Sequence, residues 1–212
     1  MKKIIYGRGP TYFLKRLQGG TTMQELKERI VKEGKILPGD IVKVDGFLNH
    51  RVDTDLLSRI ADEFASRFDL SRVTKVLTVE ASGIALATAC AMKWGVPMLF
   101  AKKAKSDNIE GGLYASDIMS YTYKKKVTLI VSKEWLTADD KVLIIDDFMA
   151  NGEAMRGLCD IVEASGAELI GVGIAIEKGF QQGGQKLRDR GINLQSLAII
   201  ETAEPGNLTF RD

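Results

Sequence analysis

The chain has 212 residues, 45% hydrophobic and 27% charged, which suits one α/β domain with a sizeable buried core. A net charge of +2 is too small to argue for nucleic acid, and a single histidine, His50, excludes a multi-histidine metal site. Two cysteines, Cys90 and Cys159, give neither metal-ligand spacing nor a disulfide framework, which fits a reducing cytoplasmic compartment.

Residues 1–22 carry Lys2, Lys3, Arg8, Lys15 and Arg16 and no acid. Without them 25 basic and 28 acidic residues remain, so the body of the chain is mildly acidic. The segment has no apolar run of signal-peptide length. A basic partner-binding arm, a transit-type segment and a non-native leader all fit its composition. Gln18-Gly19-Gly20 close before Met23 is how a purine-rich ribosome-binding site reads when translated in frame, which favours the leader. The expectation is therefore a basic extension over 1–22, one domain over 23–212, and translation from Met23. A native N-terminal mass that includes Lys2 and Lys3 would contradict it.

Residues 24–33 space Leu26, Ile30 and Val31 as a helix does, with Gly34 as a C′ residue. Ile36 to Val44 is partly apolar and broken by the turn signal Pro38-Gly39. Asp53 or Thr54 caps a helix whose buried stripe is Leu56, Leu57, Ile60, Phe64 and Phe68. From residue 73 short apolar runs alternate with helices. Strands are predicted over 73–79, 97–101, 141–145, 169–176 and 193–200, and helices over 83–94 and 152–165. Strands this rich in Val, Ile and Leu predict a mainly parallel five-stranded sheet covered on both faces. The stretch 82–101 contains Ser82, Thr88 and Lys93 and reads as helix, turn and strand rather than a membrane span. Residues 102–126 interrupt the alternation with Lys102, Lys103, Lys105 and Gly111-Gly112, as a polar loop leading into an antiparallel hairpin. Such a loop is either a solvated excursion or an active-site lid.

The chemistry is concentrated in Val142-Leu143-Ile144-Ile145-Asp146-Asp147-Phe148-Met149-Ala150-Asn151-Gly152-Glu153-Ala154. A buried strand delivers two carboxylates to its C-terminal end, where parallel α/β sheets bind ligands. A turn of small residues then opens a helix and aims backbone N–H groups at one point, as a phosphate monoester requires. Gly152 allows close backbone approach. Two acids beside that point can accept bonds from vicinal sugar hydroxyls and favour positive charge at the anomeric carbon. Read by themselves, Asp146 and Asp147 could equally just begin a helix. The segment contains neither G-x-G-x-x-G nor G-x-x-x-x-G-K-[ST], so ordinary dinucleotide and triphosphate loops do not fit.

The segment resembles the signature of the type I phosphoribosyltransferases, which bind phosphoribosyl pyrophosphate (PRPP). Further stretches, 43–50, 62–68 and 176–180, are similar to the branch of that family that takes xanthine. The resemblance runs from about Met23 to Phe210. It implies the type I phosphoribosyltransferase fold, with a flexible loop and a small base-binding hood centred on 36–52. Ala150, Asn151, Gly152, Glu153 and Ala154 then match the 5-phosphate loop, and Asp146 and Asp147 the catalytic acids near the ribose. Asn151 stands where the wider family more often has Thr.

By the same likeness Ser82 and Gly83 match the pyrophosphate loop, whereas by themselves they read as a helix cap. Ala81 stands where the xanthine branch often has Ser. Lys103 and Lys105 match the loop that closes over PRPP and would neutralise pyrophosphate; taken alone they are a solvated charge run. Val42, Asn49 and Lys178 match base-binding positions. Without the likeness Asn49 is a turn residue and Lys178 a surface or cap lysine. The family further implies Mg²⁺ carried on PRPP, with no protein metal ligand named, and a homodimer, with no nucleic-acid or membrane partner. A transferase for another purine or a pyrimidine is the alternative, and a non-enzymatic PRPP sensor a more remote one.

Overall fold

The computed structural model describes residues 22–104, 112–120 and 125–211. The basic extension up to residue 21 and Lys105 lie outside these residues. The chain opens with helix α1 (Thr22–Glu33) and the hairpin β1 (Lys35–Leu37) and β2 (Ile41–Lys43). Between these strands Gly39 and Asp40 are both left-handed, with φ of 83° and 61°, as primed hairpin turns require. Gly34 has no left-handed backbone; its N–H closes the helix on the Ile30 carbonyl, so it is not the C′ residue predicted. A five-residue π-helical turn, Asp45–Asn49, follows and buries Phe47 and Leu48. Hairpin and turn together occupy the predicted hood.

Helix α2 (Thr54–Ala65) is capped by Asp53, whose carboxylate accepts from the Leu56 N–H at 3.0 Å. This settles the choice between Asp53 and Thr54. A 3₁₀ turn (Leu70–Arg72) leads into β3 (Lys75–Val79), α3 (Gly83–Trp94) and β4 (Met98–Ala104). Helix α3 stops at the left-handed Gly95, as predicted. Strands β5 (Leu113–Ser120) and β6 (Lys125–Ser132) form the expected antiparallel hairpin, and β6 pairs antiparallel with β4. Then come β7 (Lys141–Met149), α4 (Glu153–Ser165), β8 (Glu168–Lys178), α5 (Gly183–Asp189), β9 (Leu194–Glu204) and β10 (Asn207–Phe210).

The sheet order is β10-β9-β8-β7-β3-β4-β6-β5. Its centre, β9 to β4, is the predicted set of five parallel strands; antiparallel β10 on one side and the β6–β5 pair on the other widen it to eight. Leu143 and Ile145 of β7 pack into the cluster formed with α1, α2 and α3, while Val142 and Ile144 pack into the one formed with α4. Alternate residues of one strand thus feed opposite layers, which is why the run is apolar throughout. Each such side chain contributes about 1.5–3 kcal/mol by leaving water. Cys90 and Cys159 are both free and buried, and burial raises the Cys159 thiol to about 11. Strand order reverses between β3 and β7. That reversal opens a crevice at the strands' C-terminal ends, where open α/β sheets bind ligands.

Candidate functional site

The small-residue loop 150–152 joins β7 to α4 beneath that crevice. Gly152 caps α4 with φ 79°, a left-handed conformation that costs an L-residue about 1–2 kcal/mol. Helix α4 therefore begins at Glu153, one residue later than predicted. Its first N–H groups lack intrahelical partners and carry the positive end of the helix dipole, which makes the loop a seat for an anion. Residues 148–155, Lys103 and the hairpin residues Ile118, Met119 and Val127 line a cleft of about 210 Å³. Lys103 thus shares a cleft with the loop, and its backbone N–H donates to Glu80 Oε1 at 2.7 Å. Glu80 ties the turn after β3 to the end of β4; the Glu80–Ala81 peptide in that turn is cis.

The two acids lie inside β7, not beyond it, because the strand runs four residues past its predicted end at Ile145. Their side chains diverge. Asp146 is 5% exposed and faces Thr78, whose hydroxyl stands 3.5 Å from Oδ1, while the Asp147 N–H donates to the same oxygen at 3.1 Å. Burial first, and then the charge of Asp147, hold the Asp146 carboxyl well above its ordinary range. Gly83 explains itself here. A Cβ at that position would overlap the Asp146 carboxylate and the Thr78 hydroxyl, so only glycine lets α3 begin against the acid.

Asp147 is 1% exposed. Ser82 Oγ donates to its Oδ1 at 2.9 Å, and Asn49 Nδ2 donates to its Oδ2 at 2.8 Å. Ser82 precedes α3 but makes no side-chain cap, contrary to its reading as a helix cap, because its hydroxyl is turned to the acid. The fold therefore brings Asn49, Ser82 and Asp147 together from 98 and 65 residues apart. Lys178, at the end of β8, is half-buried. Its ammonium donates to the Asp40 carbonyl at 2.8 Å and lies 5.5 Å from the Phe148 ring centre. Burial lowers its pKa, only partly offset by Asp40. Val42 lies on β2 of the hood, half-buried against the same core, and His50 is exposed.

Sequence reading missed the support behind the loop. Gly183 opens α5 directly against it, and a Cβ on Gly183 would lie 2.5 Å from Gly152 N and 2.7 Å from Asn151 C. Beneath that contact Glu177, 2% exposed, receives both Arg188 guanidinium nitrogens at 2.9 Å and the Ser196 hydroxyl. Burial pushes the Glu177 pKa up, but the bonds from Arg188 and Ser196 outweigh it and the net shift is down. A Cβ on Gly184 would overlap the Glu177 carboxylate and crowd Arg188. The adjacent glycines at 183–184 were the available signal. Among the described residues no group of three or more His, Cys, Asp or Glu is placed to hold a metal ion, and no helix is long and apolar enough to cross a membrane.

Comparison with known proteins adds kinship to this geometry. Residues 53–200 match the model of the phosphoribosyl transferase domain. Xanthine phosphoribosyltransferase of Lachnoclostridium phytofermentans is 52% identical over 191 residues, 89% of this chain and 98% of that one. The enzyme of the same name from Ruminiclostridium cellulolyticum is 49% identical over 90% of this chain and 100% of its own length. Among solved structures, adenine phosphoribosyltransferase of Giardia lamblia superposes with a TM-score of 0.69 at 22% identity, covering 82% of this chain and 96% of that one. The Saccharomyces cerevisiae enzyme gives 0.68 at 20%, covering 83% and 98%. At such identities the structural likeness establishes the fold alone.

Proposed function

The chain belongs to the phosphoribosyltransferase family, and from that premise we propose that it transfers the 5-phosphoribosyl group of PRPP to xanthine, giving xanthosine 5′-monophosphate and pyrophosphate. The observation that carries this reading is the meeting at Asp147 of a hood residue, Asn49, and a residue of the turn after β3, Ser82, beside an anion-binding loop. Base, pyrophosphate, ribose and phosphate subsites then lie side by side, and the family relation to enzymes named for xanthine selects the base.

The N–H groups of Ala150, Asn151, Gly152, Glu153 and Ala154 hold the 5-phosphate and fix the sugar. A purine ring nitrogen attacks the anomeric carbon as the bond to pyrophosphate breaks, with inversion. Asp147 sets negative charge near the cationic sugar, an interaction that strengthens as that charge develops, and Asp146 stands behind it, accepting the Asp147 N–H. The backbone N–H groups of Ser82 and Gly83, together with Lys103, receive the departing pyrophosphate, with Lys105 assigned to the same role. Water kept out by the hairpin would otherwise compete for the cation. Mg²⁺ is expected to arrive on PRPP and offset the charge of the leaving group. This ion ordinarily uses substrate phosphates and few protein ligands, in keeping with the lack, among the described residues, of a group of three or more His, Cys, Asp or Glu placed to hold it. Lys178 donates to the 6-oxo group and Asn49 to the 2-oxo group, with Val42 against the ring. A 6-amino purine would leave the Lys178 ammonium facing donors. The active unit is a homodimer acting in purine salvage in the cytoplasm.

Product analysis with xanthine, hypoxanthine, guanine and adenine side by side, each with PRPP and Mg²⁺, tests the assignment. Xanthosine monophosphate is the expected main product. Preference for hypoxanthine would overturn the choice of base, and no uptake of PRPP at millimolar concentration would overturn the whole reading.

A further inference from the structure

The two donors on Asp147 stand on different elements. Ser82 sits at the start of α3, twelve residues of regular helix packed on the sheet. Asn49 closes a five-residue turn in the hood; Phe47 and Leu48 before it are buried, Asn49 itself is half-buried, and His50 after it is exposed. Between them they occupy both oxygens of a residue that is only 1% exposed. In this arrangement the Asn49 amide takes up an acceptor site of Oδ2 on a carboxylate that has almost no exposed surface, and so competes with a sugar hydroxyl for it. The amide that covers Asp147 is also the group assigned to the base.

We propose that Asn49 couples the two substrates: its amide either covers Asp147 or turns to the purine, and taking up the purine uncovers the carboxylate for the ribose hydroxyls. Ser82 is the complementary positioning residue, which keeps Asp147 oriented in both arrangements. This rests on the function proposed above. Because such coupling is reciprocal, PRPP must also strengthen base binding. A hydrogen bond to a charged group is strong enough for the effect to be measurable.

The test is calorimetric titration of the full chain with PRPP and Mg²⁺, alone and with saturating 9-deazaxanthine, a base whose missing N9 prevents transfer. In the wild type the base analogue should tighten PRPP about tenfold, within the usual range of coupling between sites. Asn49→Ala should bind PRPP about tenfold more tightly than the wild type with no base present, and the analogue should add nothing. Ser82→Ala should shift PRPP binding in the opposite direction. Opposite signs from two deletions on one carboxylate are not what loss of local packing produces, since that weakens both. Asn49→Ser, too short to reach Asp147, repeats the measurement should the alanine variant unfold. PRPP affinity unchanged or weakened in the Asn49 variants would overturn the inference while leaving the proposed function intact. Failure of the wild type to bind PRPP would instead remove the function on which it rests.

Discussion

Gly183 lies 32 residues beyond Asn151 and carries no functional group, yet its replacement by alanine should damage catalysis. The new Cβ would fall 2.5 Å from Gly152 N and 2.7 Å from Asn151 C, and would overlap the Ala150 carbonyl oxygen. Ordinary contact begins at 3.4 Å and the Ala150 carbonyl oxygen would lie 2.3 Å from the new Cβ, so the two backbones must separate by 1.1 Å. Helix α5 is poorly placed to retreat, because Arg188 is clamped on buried Glu177 and Gly184 packs on the same carboxylate. The displacement therefore falls largely on the phosphate loop. A misplacement of about 1 Å can cost a hundredfold in rate, so kcat/KM for PRPP should fall by about that factor. Steady-state kinetics with PRPP varied and xanthine saturating measures it, alongside a thermal melt. Gly191→Ala is the control: its φ is 73° but nothing lies within 4 Å of the new Cβ. It should lower stability by about 1–2 kcal/mol through backbone strain and leave kinetics unchanged. Wild-type kcat/KM in Gly183→Ala would refute the view that α5 braces the loop.

Asp147→Asn should lower kcat by about a hundredfold, the order found when one electrostatic stabiliser is removed, and near-wild-type turnover would take this acid out of the mechanism. Asp146→Asn should stabilise the protein at neutral pH in urea titration. The folded carboxyl has its pKa raised, first by burial and then by Asp147, so its ionisation works against folding as pH rises through the folded value. The advantage of the variant should vanish as pH falls below the ordinary value of 3.8, where both folded and unfolded wild type are protonated. Glu177→Ala should cost about 3 kcal/mol in the same experiment, because it strands Arg188 without its buried partner. The depressed pKa of Glu177 means that the pair's contribution, present above the ordinary value of 4.5, is lost as pH falls through the folded value. The difference between wild type and Glu177→Ala should therefore narrow in acid.

The sequence was sufficient for whatever depends on neighbours along the chain. Apolar runs with alternating helices specify a parallel sheet because such strands have no wet face, and the five central strands appear where their Val, Ile and Leu lie. The turn of small residues after Asp147 could be read as opening a helix with free backbone N–H groups, and the structure places that turn and helix there. Element ends were less legible: β7 carries its acids within the strand because β8 pairs alongside as far as Met149, which no local pattern records. Only the tertiary structure decided what each polar group touches. Ser82 looked like a cap and became a donor to Asp147; Gly83, read with it, and Gly183, which drew no reading, proved to be points where a carboxylate and a second backbone pass within a Cβ's reach. Local propensity is written in periods of two to four residues. The contacts that make this site join positions 65 and 98 residues apart, and the closing of the sheet selects them.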